Sequence, residues 1–187
     1  MEWKCRLKRG IPLFRRQENT TLPIIQGKPI MPVSHPYFET LSAGSPENGP
    51  DVCWERELPV NGDTVEVCLW TGGDDELTAE KLDAFAAFLA RLEEADKMAR
   101  AAIAEYLTED GEYLNFHITE IEDADYPDNP EEFARAMRLE SISLWTEELP
   151  DCDSIVMDYM IDREKSDEIL AVKLFADGGI CGIDWES

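Results

Sequence analysis

Histidine is almost missing from this chain, and so is the basic half of its charge. Two histidines, His35 and His117, are all it has among 187 residues. Lys plus Arg number 17 against 41 Asp plus Glu, which leaves a formal charge of −24. Nucleic acid is therefore a poor direct ligand, because affinity there comes from cations that neutralise phosphates. No run approaches 18 apolar residues, so no transmembrane helix is expected. The basic N-terminus lacks the apolar stretch of a secretory signal. Five cysteines (Cys5, Cys53, Cys68, Cys152 and Cys181) make an odd count without a C-x-x-C pair. Neither a disulfide framework nor a zinc site is expected from that pattern, and the thiols read as free, in a cytoplasmic protein. The phosphate-binding glycine loop, the Gly-x-Ser-x-Gly elbow and His-Glu-x-x-His are all absent.

What remains is apolar enough to fold. Hydrophobic residues make up 43% of the chain, too many for a disordered acidic tail. Charge divides it sharply. Residues 1–35 hold seven basic and two acidic residues, whereas 36–187 hold ten basic and 39 acidic. We read 1–31 as a basic, proline-containing arm and 32–187 as a single acidic domain. Ile11, Leu13, Phe14, Leu22, Ile24 and Ile25 make the arm apolar enough to seek cover.

Within the domain, Val52–Val60 and Thr64–Thr71 alternate as strands around Asn61-Gly62, a strong signal for a type I′ hairpin. Thr78 reads as an N-cap, followed by Leu82, Phe85, Leu89 and Leu92 at helical spacing. Met98 to Leu107 reads as a second helix, or as the same one after a bend near Asp96. Tyr113–Ile121 and Glu131–Met137 read as two further helices. Four strands follow, at 139–145, 154–161, 168–175 and 180–185. The expected fold is α+β: an antiparallel sheet, built from an N-terminal hairpin and a C-terminal four-strand meander, with the helices between them in sequence.

Candidate chemistry is thin. His117 and Glu120 share a helical face, but a metal site needs more ligands. The acids of 120–132 fail the EF-hand spacing: counting from Asp123, Pro127 falls at position 5 and Asp128 at the glycine position. No catalytic residue, metal or cofactor is assigned. The excess of negative charge needs another account, because self-repulsion of that size destabilises a compact state. A basic protein partner fits, since complementary charge steers encounter. The expected partner-binding face comprises Glu120, Glu122, Asp123, Asp125, Asp128, Glu147, Glu148, Asp151 and Asp153.

Several segments also resemble a known family. These are Pro36-Tyr37-Phe38-Glu39, the hairpin leading into the Leu82/Phe85/Phe88/Leu89 helix, the Asp96–Ala104 helix, and above all Tyr159-Met160-Ile161, Ser166 to Lys173, Gly179-Ile180 and Trp185-Glu186-Ser187. Over residues 32–187 the chain resembles the bacterial "domain of unknown function two-thousand-and-four" family, with the arm outside the resemblance. The resemblance implies a small cytoplasmic protein of the kind found beside polymorphic toxin systems and read as an immunity protein. It supplies no catalytic residue. The expected function is therefore non-catalytic: neutralisation of a basic toxin or effector through an acidic surface. A housekeeping scaffold or regulatory module is the alternative, with a metal-dependent hydrolase behind it.

Overall fold

The structure, a computed structural model, describes residues 32–42, 50–72, 76–123, 125–147 and 154–187. The arm at 1–31 lies outside the described residues. So do Glu148, Asp151 and Asp153.

A small antiparallel pair comes first, β1 (Val33–His35) with β2 (Glu39–Leu41). His35 ties it down. Its Nδ1 accepts from the backbone N–H groups of Tyr37 and Phe38, at 3.2 and 3.3 Å. Nε2 therefore carries the proton and donates to Asp83, at 3.1 Å. The long hairpin β3 (Asp51–Val60) and β4 (Asp63–Thr71) follows, turning at Asn61 (φ 50°) and Gly62 (φ 96°). Positive φ at both positions is what a type I′ turn demands and what Asn-Gly tolerates. Four helices come next: α1 (Ala79–Leu89), α2 (Leu92–Glu109), α3 (Glu112–Thr119) and α4 (Pro130–Ala136). Thr78 caps α1 through its side chain, as its position suggests. The break between the first two helices falls at Ala90-Arg91, not at Asp96, which lies buried inside α2.

The chain ends in β5 (Arg138–Trp145), β6 (Ile155–Met160), β7 (Ile169–Leu174) and β8 (Ile180–Glu186). Strand order in the six-stranded sheet is β3-β4-β5-β6-β7-β8. The fold is α+β with a mostly antiparallel sheet, as expected. One junction differs: β4 and β5 pair in parallel, Glu66 opposite Ser141 and Trp70 opposite Trp145. The helical segment between them carries the chain back across the sheet, so β5 enters from the same end as β4.

The helices cover one face of the sheet. Val65, Val67 and Leu69 of β4 join Leu82, Phe85, Ile103 and Leu107 in the main core, with Ile142, Met157, Tyr159 and Leu170. Cys68, Trp70, Val156, Met160 and Ala171 are also buried, but they alternate onto the opposite face and do not belong to that core. On that face Trp70 and Trp145 stack at 5.1 Å.

Candidate functional site, an acidic cap at one end of the sheet

The sequence places Glu120, Glu122, Asp123, Asp125 and Asp128 in one segment, and the structure shows how it is held. Glu120 terminates α3, and Asn129 begins α4 by accepting from the N–H groups of Glu131 and Glu132, at 3.0 and 3.1 Å. The connection between them carries the five acids, all exposed. Tyr126 anchors it. Its ring meets His117 and Phe133 edge-on, and its hydroxyl donates to Asp162 at 3.3 Å. Burial raises the Tyr126 phenol above its ordinary pKa, and the nearby Asp162 carboxylate adds to that.

Asp162 lies in the β6–β7 loop, which joins the strands expected at 154–161 and 168–175. Lys165 of that loop donates to the Asp123 carbonyl oxygen at 2.8 Å, so the two loops lie against each other. Asp162, Glu164, Asp167 and Glu168 thereby extend the acidic surface begun by Glu120–Asp128. Its cations are occupied: Lys165 as above, and Arg163 with Glu140 at 3.2 Å. No local signal marks this contact, because Asp162-Arg163-Glu164-Lys165 is a mixed-charge stretch about 40 residues away.

Glu147 does not join the cap. It follows β5, whereas the cap sits beside the start of that strand, where Arg138 pairs with Met160. Seven strand steps put roughly 23 Å between the two ends. Glu148, Asp151 and Asp153 fall outside the described residues.

Beneath the cap, His117 is fully buried. Its Nδ1 lies 2.9 Å from the Tyr113 carbonyl oxygen, which only accepts, so Nδ1 carries the proton. Nε2 then accepts from the Ser166 hydroxyl at 3.1 Å. Ser166 Oγ in turn accepts from the Glu168 N–H at 3.2 Å, and the Tyr113 hydroxyl donates to the Glu168 carbonyl oxygen at 3.0 Å. Trp185 closes the group from β8. It packs on Tyr113 and Phe116, donates through Nε1 to the Glu168 carboxylate, and keeps about a third of its surface exposed (36%). Both imidazole nitrogens are thus committed to fastening α3 to the β6–β7 loop. Glu120 points to solvent, so the His117/Glu120 pairing considered from the sequence does not form.

Burial lowers the His117 pKa, outweighing the opposing effects of the Tyr113 carbonyl and the Glu168 charge. The folded state therefore binds a proton less readily than the unfolded chain, and His117 costs stability as pH falls below about 6.5. We expect His117→Gln to lower stability by about 2 kcal/mol at pH 7.5, from lost packing and hydrogen bonds. That gap should shrink by about 1 kcal/mol at pH 5.5, where the wild type is penalised and the variant is not. Glu66 runs the other way: burial, then Glu55 and Glu57, raise its pKa. Its contribution is common to both proteins and cancels in the difference. Denaturant melts at the two pH values check this, and a constant gap would show that His117 titrates normally.

Two other places hold clustered polar groups. A groove of about 940 Å³ lies between α2, α4 and the β3–β4 turn. Its charges are mixed, with Lys97, Arg135 and Arg138 among Glu93, Glu94 and Asp63. Asp96 and Arg100 form its floor and are engaged in structural bonds. The second place is on the sheet, where Glu55, Glu66 and Cys68 converge within 4.8 Å. Cys68 is disulfide-bonded and has no thiolate to offer a metal. Cys181 is bridged as well, while Cys53 is a free thiol whose pKa burial pushes up to about 11. The free thiols expected at Cys68 and Cys181 are thus corrected. Strand placement buries Cys68 where a second sulfur can reach it, which cysteine spacing in the sequence does not reveal.

No family model, curated protein or solved structure matches the chain. Among the described residues no helix is long and apolar enough to cross a membrane.

Proposed function

We propose that this chain is a non-catalytic inhibitory protein that binds a basic protein partner through the acidic cap, in the manner of an immunity protein against a basic toxin. The observation that carries the reading is the junction of two acidic loops around the Lys165–Asp123 contact. It concentrates carboxylates on one surface while local contacts occupy both loop cations. Trp185 at its edge supplies what pure charge does not, a large, partly exposed aromatic of the kind that dominates binding hot spots. Carboxylates around it would steer a cationic partner and reject anionic ones. His117 and Ser166 support this by fixing the loops in place, which lowers the ordering cost of association. The family resemblance of 159–187 belongs to the same proposal, since Ser166–Glu168 and Trp185 lie in that segment. The cytoplasmic setting expected from the sequence is not part of it, because bridged Cys68 and Cys181 fit an oxidising compartment better.

The test is capture by the tagged chain from its source cells at low salt, identification of the bound protein, and titration of the purified pair. We expect one basic protein whose Kd weakens at least tenfold between 50 and 300 mM salt. Capture of nothing from cells that make the neighbouring gene products would favour the scaffold reading.

A further inference from the structure

The sheet has a second face that the helices do not touch. Cys68 and Ala171 are fully buried there, and Met160, Val156 and Trp70 are 3%, 5% and 6% exposed. Among the described residues no helix or strand lies over them. Trp70 Nε1 is buried with no hydrogen-bond partner among the described residues. The face is also acidic. Register places Glu57, Glu66, Ser141, Asp158, Ala171 and Asp184 side by side in one row across all six strands. Lys173, in the neighbouring row, is a cation of this face and is bonded to Asp184.

The cysteines add a second, independent observation. Cys68 sits in β4 and Cys181 in β8, and both are disulfide-bonded. Four strand spacings separate β4 from β8, about 19 Å, against the roughly 4–7 Å between Cα atoms that a disulfide allows. They are not each other's partners, and Cys53 is free. The cysteines left in the sequence are Cys5 and Cys152.

We propose that the chain's own basic arm, residues 1–31, covers this face of the sheet and is tethered to it by a disulfide from Cys5. The arm has the required chemistry: seven basic residues against two acidic, with Ile11, Leu13, Phe14, Leu22, Ile24 and Ile25 to lay over Trp70, Val156 and Met160. It has the reach, since 31 extended residues span about 100 Å and a six-stranded sheet is about 24 Å wide. It arrives at the right edge, because the β1–β2 pair that follows it packs on Trp54 of β3 through Tyr37 and Phe38. Its five surplus positive charges face carboxylates that otherwise repel one another. The inference is independent of the acidic cap, which lies at the end of the sheet.

Two measurements on the full, unreduced chain test it. Alkylation and proteolysis without reductant should yield a Cys5 peptide joined to one carrying Cys68 or Cys181. Carbodiimide coupling should join Lys4, Lys8 or Lys28 to Glu57, Glu66, Asp158 or Asp184 within the monomer. Cys5→Ser should then lower Tm by about 5–15 °C. Recovery of Cys5 alkylated or joined to Cys152 overturns the proposal. So does arm coupling that is absent, directed to the Glu120–Asp128 cap, or found only between two chains.

Discussion

Replacing Asp96 with Ala should remove about 3–5 kcal/mol of stability, a large part of what a domain of this size possesses. Asp96 is almost fully buried on α2 and receives three partners. Arg100 donates through Nε to both carboxylate oxygens, at 3.1 and 3.0 Å. Tyr159 of β6 donates to Oδ1 at 2.8 Å, and Asn61 of the β3–β4 turn donates to Oδ2 at 2.7 Å. One carboxylate thereby joins a helix, a central strand and the hairpin turn. Arg100 carries the network onward, donating to the carbonyls of Ala134 and Met137 at 3.0 and 2.6 Å, where α4 passes into β5. Its guanidinium also lies over the Tyr159 ring, 5.3 Å from the centroid. Ala at 96 strands a partly buried guanidinium and a buried phenol together, and each unpaired group costs its own desolvation. Thermal melts should show Tm lower by about 6–20 °C. Asp96→Asn keeps the shape but loses the charge, and should fall between the two. Arg100→Ala should be similarly severe, and the double variant less than the sum, because the groups share one network. A loss under 1 kcal/mol in Asp96→Ala would mean that water replaces the carboxylate, and that the network does not fasten these elements.

That network also marks where the sequence stops being readable. Asn61-Gly62 announced its turn through backbone geometry alone, and the alternation of β4 announced its strand. Thr78 and the Leu82/Phe85/Leu89 spacing placed the start of the first helix to within a residue or two, though not its end. These are local signals, fixed by neighbours a few positions away. Asp96 looked like a helix break because a charged residue interrupts an apolar stripe. Its partners at Asn61 and Tyr159 are 35 and 63 positions distant, and no local pattern encodes them. The β1–β2 pair was missed for a related reason: three-residue strands carry no period, and His35 earns its place only through Asp83. The parallel β4–β5 junction depends on how four helices recross the sheet. The cap divides the same way. Its first half was visible as an acidic run, whereas Asp162, Glu164, Asp167 and Glu168 join it only through Lys165 and Tyr126. Glu147 looked equivalent in composition and lies at the other end of β5.

The cap itself should be separable from net charge. Glu122→Gln, Asp123→Asn, Asp125→Asn and Asp128→Asn together remove four charges from exposed positions. Asn suits position 123, whose φ of 55° is one that Asn tolerates. Folding should be unaffected or slightly improved, because self-repulsion falls. Association with the basic partner should slow about 100-fold, with most of the change in the on-rate and a flatter salt dependence. The control removes four charges from the exposed side of α2, through Glu93→Gln, Glu94→Gln, Glu105→Gln and Glu109→Gln. Its net charge is identical and its carboxylates lie outside the two cap loops, so its on-rate should change by less than about threefold. Trp185→Ala completes the set. Its loss should raise the off-rate and leave the on-rate nearly intact, because an aromatic anchor acts after encounter. Stopped-flow or surface-binding kinetics at two salt concentrations distinguish these outcomes. Equal slowing in the cap and α2 variants would assign the steering to overall charge. The two acidic loops would then be a solvated surface held in shape by His117 and Tyr126 without serving as a docking site.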